Sequence, residues 1–212
     1  MFDDRALPRA LLEEVLALAR RAPSGVNTQP WNVFVVQGAS LVALKAAAGT
    51  ALAQAQLDVA AQARFWTAFR TLPGHSHWAG PAWEQRGAGF AASAEAAFGA
   101  GRIGGDGDLA RYFNLHGAPV ALMCTIDRKL GLGSVLDYGM FLQTIVVAAR
   151  ARGLRAEVQT GWRGLADAVV PVLQPGEGQL LLAGVALGYP ADTRPPVTAT
   201  PVPADNFTLW YG

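Results

Sequence analysis

The sequence predicts one domain that contains both helices and strands. Short apolar runs rich in β-branched and aromatic residues are typical of strands, and they occur at residues 31–37, 119–127 and 180–188. Apolar residues recur at helical spacing in residues 8–21, 40–63, 108–115, 133–152 and 164–172. The sequence has no internal repeat and no linker-like stretch, so we expect one domain over residues 1–212.

Two of these helices carry clear signals. In residues 8–21, acidic residues occupy the first half and Arg20 and Arg21 close the segment, which suits the helix dipole. Residues 133–152 are apolar around more than one face, and Gly153 follows as a predicted cap. A helix of that kind must be central or must pack against a partner chain.

Composition excludes several classes of protein. The net charge of +1 gives no indication of a nucleic-acid-binding surface or of a basic membrane-binding surface. A charged fraction of only 16% favours an oligomer with a large buried interface. The single cysteine, Cys124, excludes an intrachain disulfide and lies in an apolar run, so we expect a buried, unreactive thiol. No signal peptide or apolar run of about 18 residues is evident, so we expect a cytoplasmic protein with no membrane span.

The segment RAPSGVNTQPW, residues 21–31, is unusually polar for a short connection, and we call it the polar loop. Its carboxamides and hydroxyls donate and accept hydrogen bonds, its prolines stiffen the backbone, and Gly25 allows close approach to a ligand. Such a set suits a heteroaromatic ring or a polyol. By composition alone, an ordinary turn capped by its own side chains is the favoured interpretation.

Residues 64–107 are less regular and carry Trp66, Trp78 and Trp83. They read either as a cover over a pocket or as a plain surface excursion. The HSH triplet at residues 75–77 lacks a third ligand nearby, so no metal site is expected.

The polar loop and the NVFVV after it resemble the signature loop of the FMN-dependent nitroreductase family. NLHGAPVALMCTIDR and LLAGVALGYP resemble strands of that family, GSVLDYGMFLQTIVVAARARGL resembles its central helix, and VQTGW is similar to its flavin-contacting turn. The resemblance covers roughly residues 5–190, and the motifs together are specific.

The resemblance implies an α+β fold, with a mixed β-sheet flanked by helices, assembled as an intertwined homodimer. FMN would lie at the dimer interface. The residues themselves, which end in NFTLWYG, indicate that the extended tail, residues 189–212, packs on the partner subunit or adds to a sheet edge. The implied activity is transfer of hydride from NAD(P)H via FMN to an electron-poor small molecule such as a nitroaromatic, quinone or enone. Because the cofactor carries the chemistry, no catalytic side chain is expected.

The resemblance also implies site residues. The cofactor-binding set is Pro23, Ser24, Gly25, Asn27, Gln29, Thr160 and Gly161. The substrate-pocket set is Trp66, Trp78 and His116. From the sequence alone, His116 reads either as a helix-end histidine bonded to the last carbonyls or as a polar group facing the pocket.

The sequence departs from the family at the FMN phosphate. It begins at MFDD, past the family's Arg-Ser-x-Arg segment, and the stretch after its last strand has little cationic character. Substitute cations would have to come from Arg5, Arg9, Arg20, Arg21 or Arg194. One alternative is a flavin-free protein that uses the interface pocket for binding or non-redox chemistry. Another is a family member that keeps FMN but acts on a dedicated metabolite.

Overall fold

The structure is a computed structural model that describes residues 1–70, 106–191, 201 and 203–211. The described helices are α1 (Arg9–Ala19), α2 (Gly38–Leu57), α3 (Val59–Arg70), α4 (Asp106–Phe113), α5 (Leu132–Arg150) and α6 (Ala166–Leu173). The described strands are β1 (Asn32–Gln37), β2 (Val120–Asp127), β3 (Arg155–Gln159) and β4 (Gln179–Gly188). Short 3₁₀ turns lie at Gly25–Asn27, Leu115–Gly117, Thr160–Leu165 and Ala204–Asn206.

The described strands form a four-stranded sheet in the order β1-β2-β4-β3. Every neighbouring pair is antiparallel, with β2 and β4 at the centre. Gly184 of β4 is opposite Met123 on one side and Gln159 on the other. The α+β class is therefore confirmed, and the described sheet is antiparallel throughout where the resemblance implied a mixed one.

Both faces of the sheet are covered by helices, which explains why its central strands are continuous apolar runs. Side chains alternate along β2: Ala121 and Met123 join one buried cluster, whereas Leu122 and Cys124 join the other. The first cluster includes residues of α2, α3, α4 and α6, and the second includes residues of α1 and α5. Cys124 is fully buried, and burial raises its pKa to about 12, in agreement with the predicted unreactive thiol.

Helix α5 has one buried and one exposed apolar face. Tyr138 and Phe141 are buried in the cluster that α5 shares with α1 and the sheet, whereas Leu136 is 67% exposed and Val147 is 57% exposed. By length and composition alone α5 would qualify as a membrane span, although no apolar run of that length was evident in the sequence. Because its inner face packs in the core of the domain, we assign it there. Gly153, at φ +71°, ends the helix as predicted.

The segment predicted as one helix over residues 40–63 is divided at Asp58. That residue has extended backbone, and its side chain accepts a 2.9 Å hydrogen bond from the N–H of Ala60 at the start of α3. Helix α3 then continues to Arg70, so the first residues of the predicted cover, 64–70, are helical. The rest of that cover, with Trp78, Trp83 and residues 75–77, lies outside the described residues through residue 105.

The described part of the tail carries large apolar side chains that are exposed in the single chain. Phe207 and Leu209 are 72% and 79% exposed, and Trp210 and Tyr211 are 87% and 91% exposed. Exposed apolar side chains grouped in this way are typical of a surface that contacts another molecule.

Candidate functional site

The polar loop contains a strained stretch of backbone. Val26, Asn27 and Gln29 all have positive φ, at 44°, 59° and 46°. A positive φ is unfavourable for residues other than glycine, most of all for a β-branched residue such as Val26. It costs of order 1–3 kcal/mol for each residue. The valine side chain is 99% exposed, so burial does not offset this strain. Contacts elsewhere must hold the loop in shape.

Two side-chain oxygens accept hydrogen bonds from the backbone of the polar loop. The N–H of Gly25 donates to Oδ2 of Asp137 on α5 at 3.1 Å. The N–H of Gln29 donates to the Ser24 hydroxyl at 3.0 Å. The Ser24 oxygen therefore supports the loop, and its assignment to the cofactor stays a prediction.

Helix α5 also holds the far end of the loop. Trp31 stacks on Phe141 with ring centroids 4.7 Å apart and an interplanar angle of 8°. The Tyr138 hydroxyl donates to the carbonyl of Asn32 at 2.8 Å. One helix thus supports the loop where it begins its turn and where it enters β1.

The remaining polar side chains of the loop point away from the chain. Asn27, Thr28 and Gln29 are exposed, as is Pro23. Within the part of the chain that the structure describes, the Asn27 and Gln29 carboxamides have no hydrogen-bond partner. The loop therefore presents unused donors and acceptors to a ligand or to a second chain.

The second predicted cofactor segment, Thr160 and Gly161, lies directly after β3. Thr160 is exposed and Gly161 is buried. The N–H of Gly161 donates to the hydroxyl of Tyr112 on α4 at 2.9 Å, so this amide already has a protein partner. Burial raises the pKa of Tyr112 to about 12, which keeps its hydroxyl neutral near pH 7. The sequence did not identify Tyr112 as a site residue, because no pattern along the chain connects it with a turn so far away in sequence.

A chain of hydrogen bonds supports the same turn. Nε2 of His116 lies 3.0 Å from Oε1 of Glu157, and Gln159 donates to the same carboxylate oxygen at 3.2 Å. The indole N–H of Trp162 donates to the fully buried Gln159 at 2.8 Å. Burial acts to raise the pKa of Glu157, but the hydrogen bonds and charge of His116 and the bond from Gln159 outweigh it and lower that pKa.

The predicted pocket residues have mixed outcomes. His116 contacts the carboxylate of Glu157 on β3. The helix-end interpretation placed it instead against the last carbonyls of the preceding helix. The left-handed backbone of His116, φ 50°, turns its side chain toward β3. Trp66 lies on α3, with Phe65 at 5.1 Å in an edge-to-face contact, and packs on the core. The pocket roles of Trp66 and His116 stay predictions, and Trp78 lies outside the described residues.

The candidate phosphate-binding cations are not equivalent. Arg5 and Arg9 each form a salt bridge of 2.7 Å to a neighbouring carboxylate. Arg20 and Arg21, at the end of α1, are exposed and have no ion pair within the described ranges. Arg194 lies outside those ranges. Arg20 and Arg21 therefore lie at the start of the polar loop, and no described carboxylate forms a salt bridge with them.

Comparisons with known proteins agree on one family. The model of the nitroreductase family matches residues 1–189. The chain is 32% identical to a 4-nitrobenzoate reductase of Pseudomonas putida, over 97% of this chain and 88% of that protein. It is 30% identical to a nitrobenzene nitroreductase of Ectopseudomonas oleovorans, over 92% of this chain and 83% of that one.

A solved structure is similar over the whole chain. It is the FMN-dependent nitroreductase NfnB from Mycobacterium smegmatis in complex with NADPH, with a TM-score of 0.84 and 28% identity. The similarity covers 100% of this chain and 92% of NfnB. With the family match and the antiparallel sheet packed between helices, these comparisons show that the chain belongs to the nitroreductase family.

Proposed function

We propose that this protein is an FMN-dependent oxidoreductase that uses NAD(P)H to reduce nitroaromatic compounds. The observation that carries the proposal is the polar loop, whose outward carboxamides are held in a strained, pre-formed conformation by α5. Family membership and the reductase names of the relatives support it. The complex of NfnB with NADPH supports the choice of a nicotinamide reductant.

The described residues fit a flavin. Its ring presents alternating hydrogen-bond donors and acceptors, and Asn27 and Gln29 offer both kinds at exposed positions of the polar loop. A phosphate needs cationic partners, which Arg20 and Arg21 would supply. The Gly161 amide is bonded to Tyr112, so we propose that Thr160 is the more available contact in that turn.

When bound, FMN supplies the two-electron redox chemistry that connects the reductant with the acceptor. The first two-electron reduction of a nitro group consumes one NAD(P)H and one proton and yields a nitroso compound, NAD(P)⁺ and water. The polar loop and the turn after β3 would hold and orient the ring. We also propose that Trp66, Trp78 and His116 line the acceptor pocket. A cytoplasmic location, expected from the sequence, fits this reductant.

We further propose that the protein is a homodimer with α5 at its interface. The outer face of α5 presents Leu136, Met140 and Val147 to solvent, with Gly139 open beside them. The exposed aromatic tail, residues 207–211, needs a surface outside its own chain. Together these apolar surfaces are typical of a permanent interface.

The first test is the visible absorption spectrum of the purified protein, recorded before and after addition of excess FMN and desalting. We expect flavin bands near about 450 nm with about one flavin per chain. Asn27→Ala should weaken FMN binding, whereas Gln54→Ala, at an exposed position of α2, is the control. A protein that stays colourless after reconstitution contradicts the proposal and favours the flavin-free alternative. If Asn27→Ala keeps full occupancy and rate, the loop assignment is wrong.

The dimer is tested by light scattering coupled to gel filtration. The wild type should elute at twice the mass of the chain. Leu136→Arg puts a charge on the outer face of α5 and should shift the protein toward the monomer, because an unpaired buried charge is costly. Leu57→Arg, at a leucine of α2 that is 89% exposed, is the control and should leave the mass unchanged. A monomeric wild type would refute this assembly.

A further inference from the structure

We infer that Asp137 is a positioning residue, which holds the polar loop in the conformation that accepts FMN. This inference rests on the proposed function and assigns a role to a residue that touches neither cofactor nor substrate. Its basis is the hydrogen bond from the Gly25 N–H to Asp137 Oδ2, which joins residues 112 positions apart.

Among the described residues, the carboxylate of Asp137 has its hydrogen-bond partner in the polar loop. Asp137 is 9% exposed and lies on the inner side of α5. Within the described ranges it has no salt bridge, and the Gly25 amide is its hydrogen-bond donor. A carboxylate removed from water needs such a donor, and charge-assisted bonds are roughly twice as strong as neutral ones.

The bond acts at the position that sets the turn. The carbonyl of Gly25 accepts the N–H of Thr28 at 3.0 Å, so fixing Gly25 fixes the turn that carries Asn27. Val26 and Asn27 lie inside this turn with positive φ, and without an anchor they would relax to ordinary conformations. A ligand that needs the strained turn then binds only the fraction of molecules that retain it.

The close approach of the loop to Asp137 does not require glycine at position 25. A Cβ built on Gly25 would meet Asp137 Oδ2 at 3.7 Å, which is an ordinary contact. The hydrogen bond from the Gly25 N–H to Asp137 Oδ2 is 3.1 Å long, which leaves no space for water between the two groups. Removing the carboxylate would leave the Gly25 amide to solvent and the turn without this support.

The test compares FMN dissociation constants, measured by quenching of flavin fluorescence, for the full chain and its variants. Asp137→Ala should weaken FMN binding about tenfold, because the competent loop conformation loses a charge-assisted bond. Asp137→Asn retains an acceptor oxygen and should bind within about threefold of the wild type. In steady-state assays at saturating FMN, Asp137→Ala should recover most of kcat.

Two controls separate positioning from loss of stability. Leu44→Ala removes buried apolar atoms from α2, in the cluster that α5 does not join. It should lower the melting temperature but leave FMN affinity within about twofold. Asp167→Ala, an exposed acid on α6, should change neither. The inference is overturned if Asp137→Ala binds FMN like the wild type, or if Leu44→Ala weakens binding as much.

A second measurement keeps this inference separate from the proposed function. If the wild type binds no FMN, hydrogen exchange of the Gly25 amide is followed by NMR in the flavin-free protein. Faster exchange in Asp137→Ala, restored in Asp137→Asn, would support the positioning contact even though the flavin assignment had failed. Unchanged exchange at Gly25 would refute the contact itself.

Discussion

Replacing Gly184 with alanine should destabilise the protein and disturb the turn after β3. Gly184 lies on the central strand β4, opposite Gln159, and the Trp162 side chain covers it. A Cβ at this position would lie 2.7 Å from Cδ1 and 2.8 Å from Nε1 of Trp162. Trp162 is fully buried and packs edge-to-face on Phe113 with centroids 5.3 Å apart, so the indole cannot simply swing aside.

The cost has two parts. Forcing a methyl group into a filled core costs about 1–3 kcal/mol. Moving the indole also breaks its bond to Gln159 and leaves buried polar groups unsatisfied, which costs about 1–3 kcal/mol more. Alanine lowers the entropy of the unfolded chain and returns about 0.4–1 kcal/mol. The net loss is about 3 kcal/mol, which for a chain of this size lowers Tm by about 6–12 °C.

Thermal unfolding followed by circular dichroism provides the measurement. Gly49→Ala in the middle of α2 is the matched control, because a Cβ there meets nothing within 4 Å. That change should raise stability by about 0.5–1 kcal/mol through helix propensity. Because Trp162 follows Gly161, we also expect Gly184→Ala to weaken FMN binding. A Tm for Gly184→Ala within about 2 °C of the wild type would refute the packing argument.

The other expectations concern protonation and reactivity. The lowered pKa of Glu157 means that its contribution to stability is present above its ordinary value of 4.5 and is lost as the pH falls through the folded value. In urea unfolding, the free energy of unfolding of Glu157→Gln should therefore depend less on pH in this acidic range than that of the wild type. Glu177→Gln, which replaces an exposed acid, should follow the wild type. Identical pH profiles for Glu157→Gln and the wild type would contradict this role. Cys124, with its pKa raised by burial to about 12, should not react with a thiol reagent at pH 8 in the native protein but should react fully in denaturant. Rapid labelling of the native protein would show that β2 opens locally.

The sequence by itself determined the local elements and the family. Apolar periodicity located most of the described helices and three of the four described strands, because a strand buried on both faces is a continuous apolar run. It missed β3, where RAEVQ is short and carries Arg155 and Glu157 at a sheet edge. It also ran α2 and α3 together, since the alanine-rich pattern continues past Asp58 and only the cap geometry reveals the break.

Only the tertiary structure decided which distant residues support the site. The motif residues of the polar loop were identifiable because they are contiguous and unusual in composition. Asp137 and Tyr112 were not, because a hydrogen bond between residues on separate elements leaves no periodic or compositional trace along the chain. The same holds for His116, whose partner Glu157 lies on the strand that the sequence did not reveal. Short-range patterns encode helices, strands and turns, whereas the contacts that hold a strained loop arise only when packing brings those elements together.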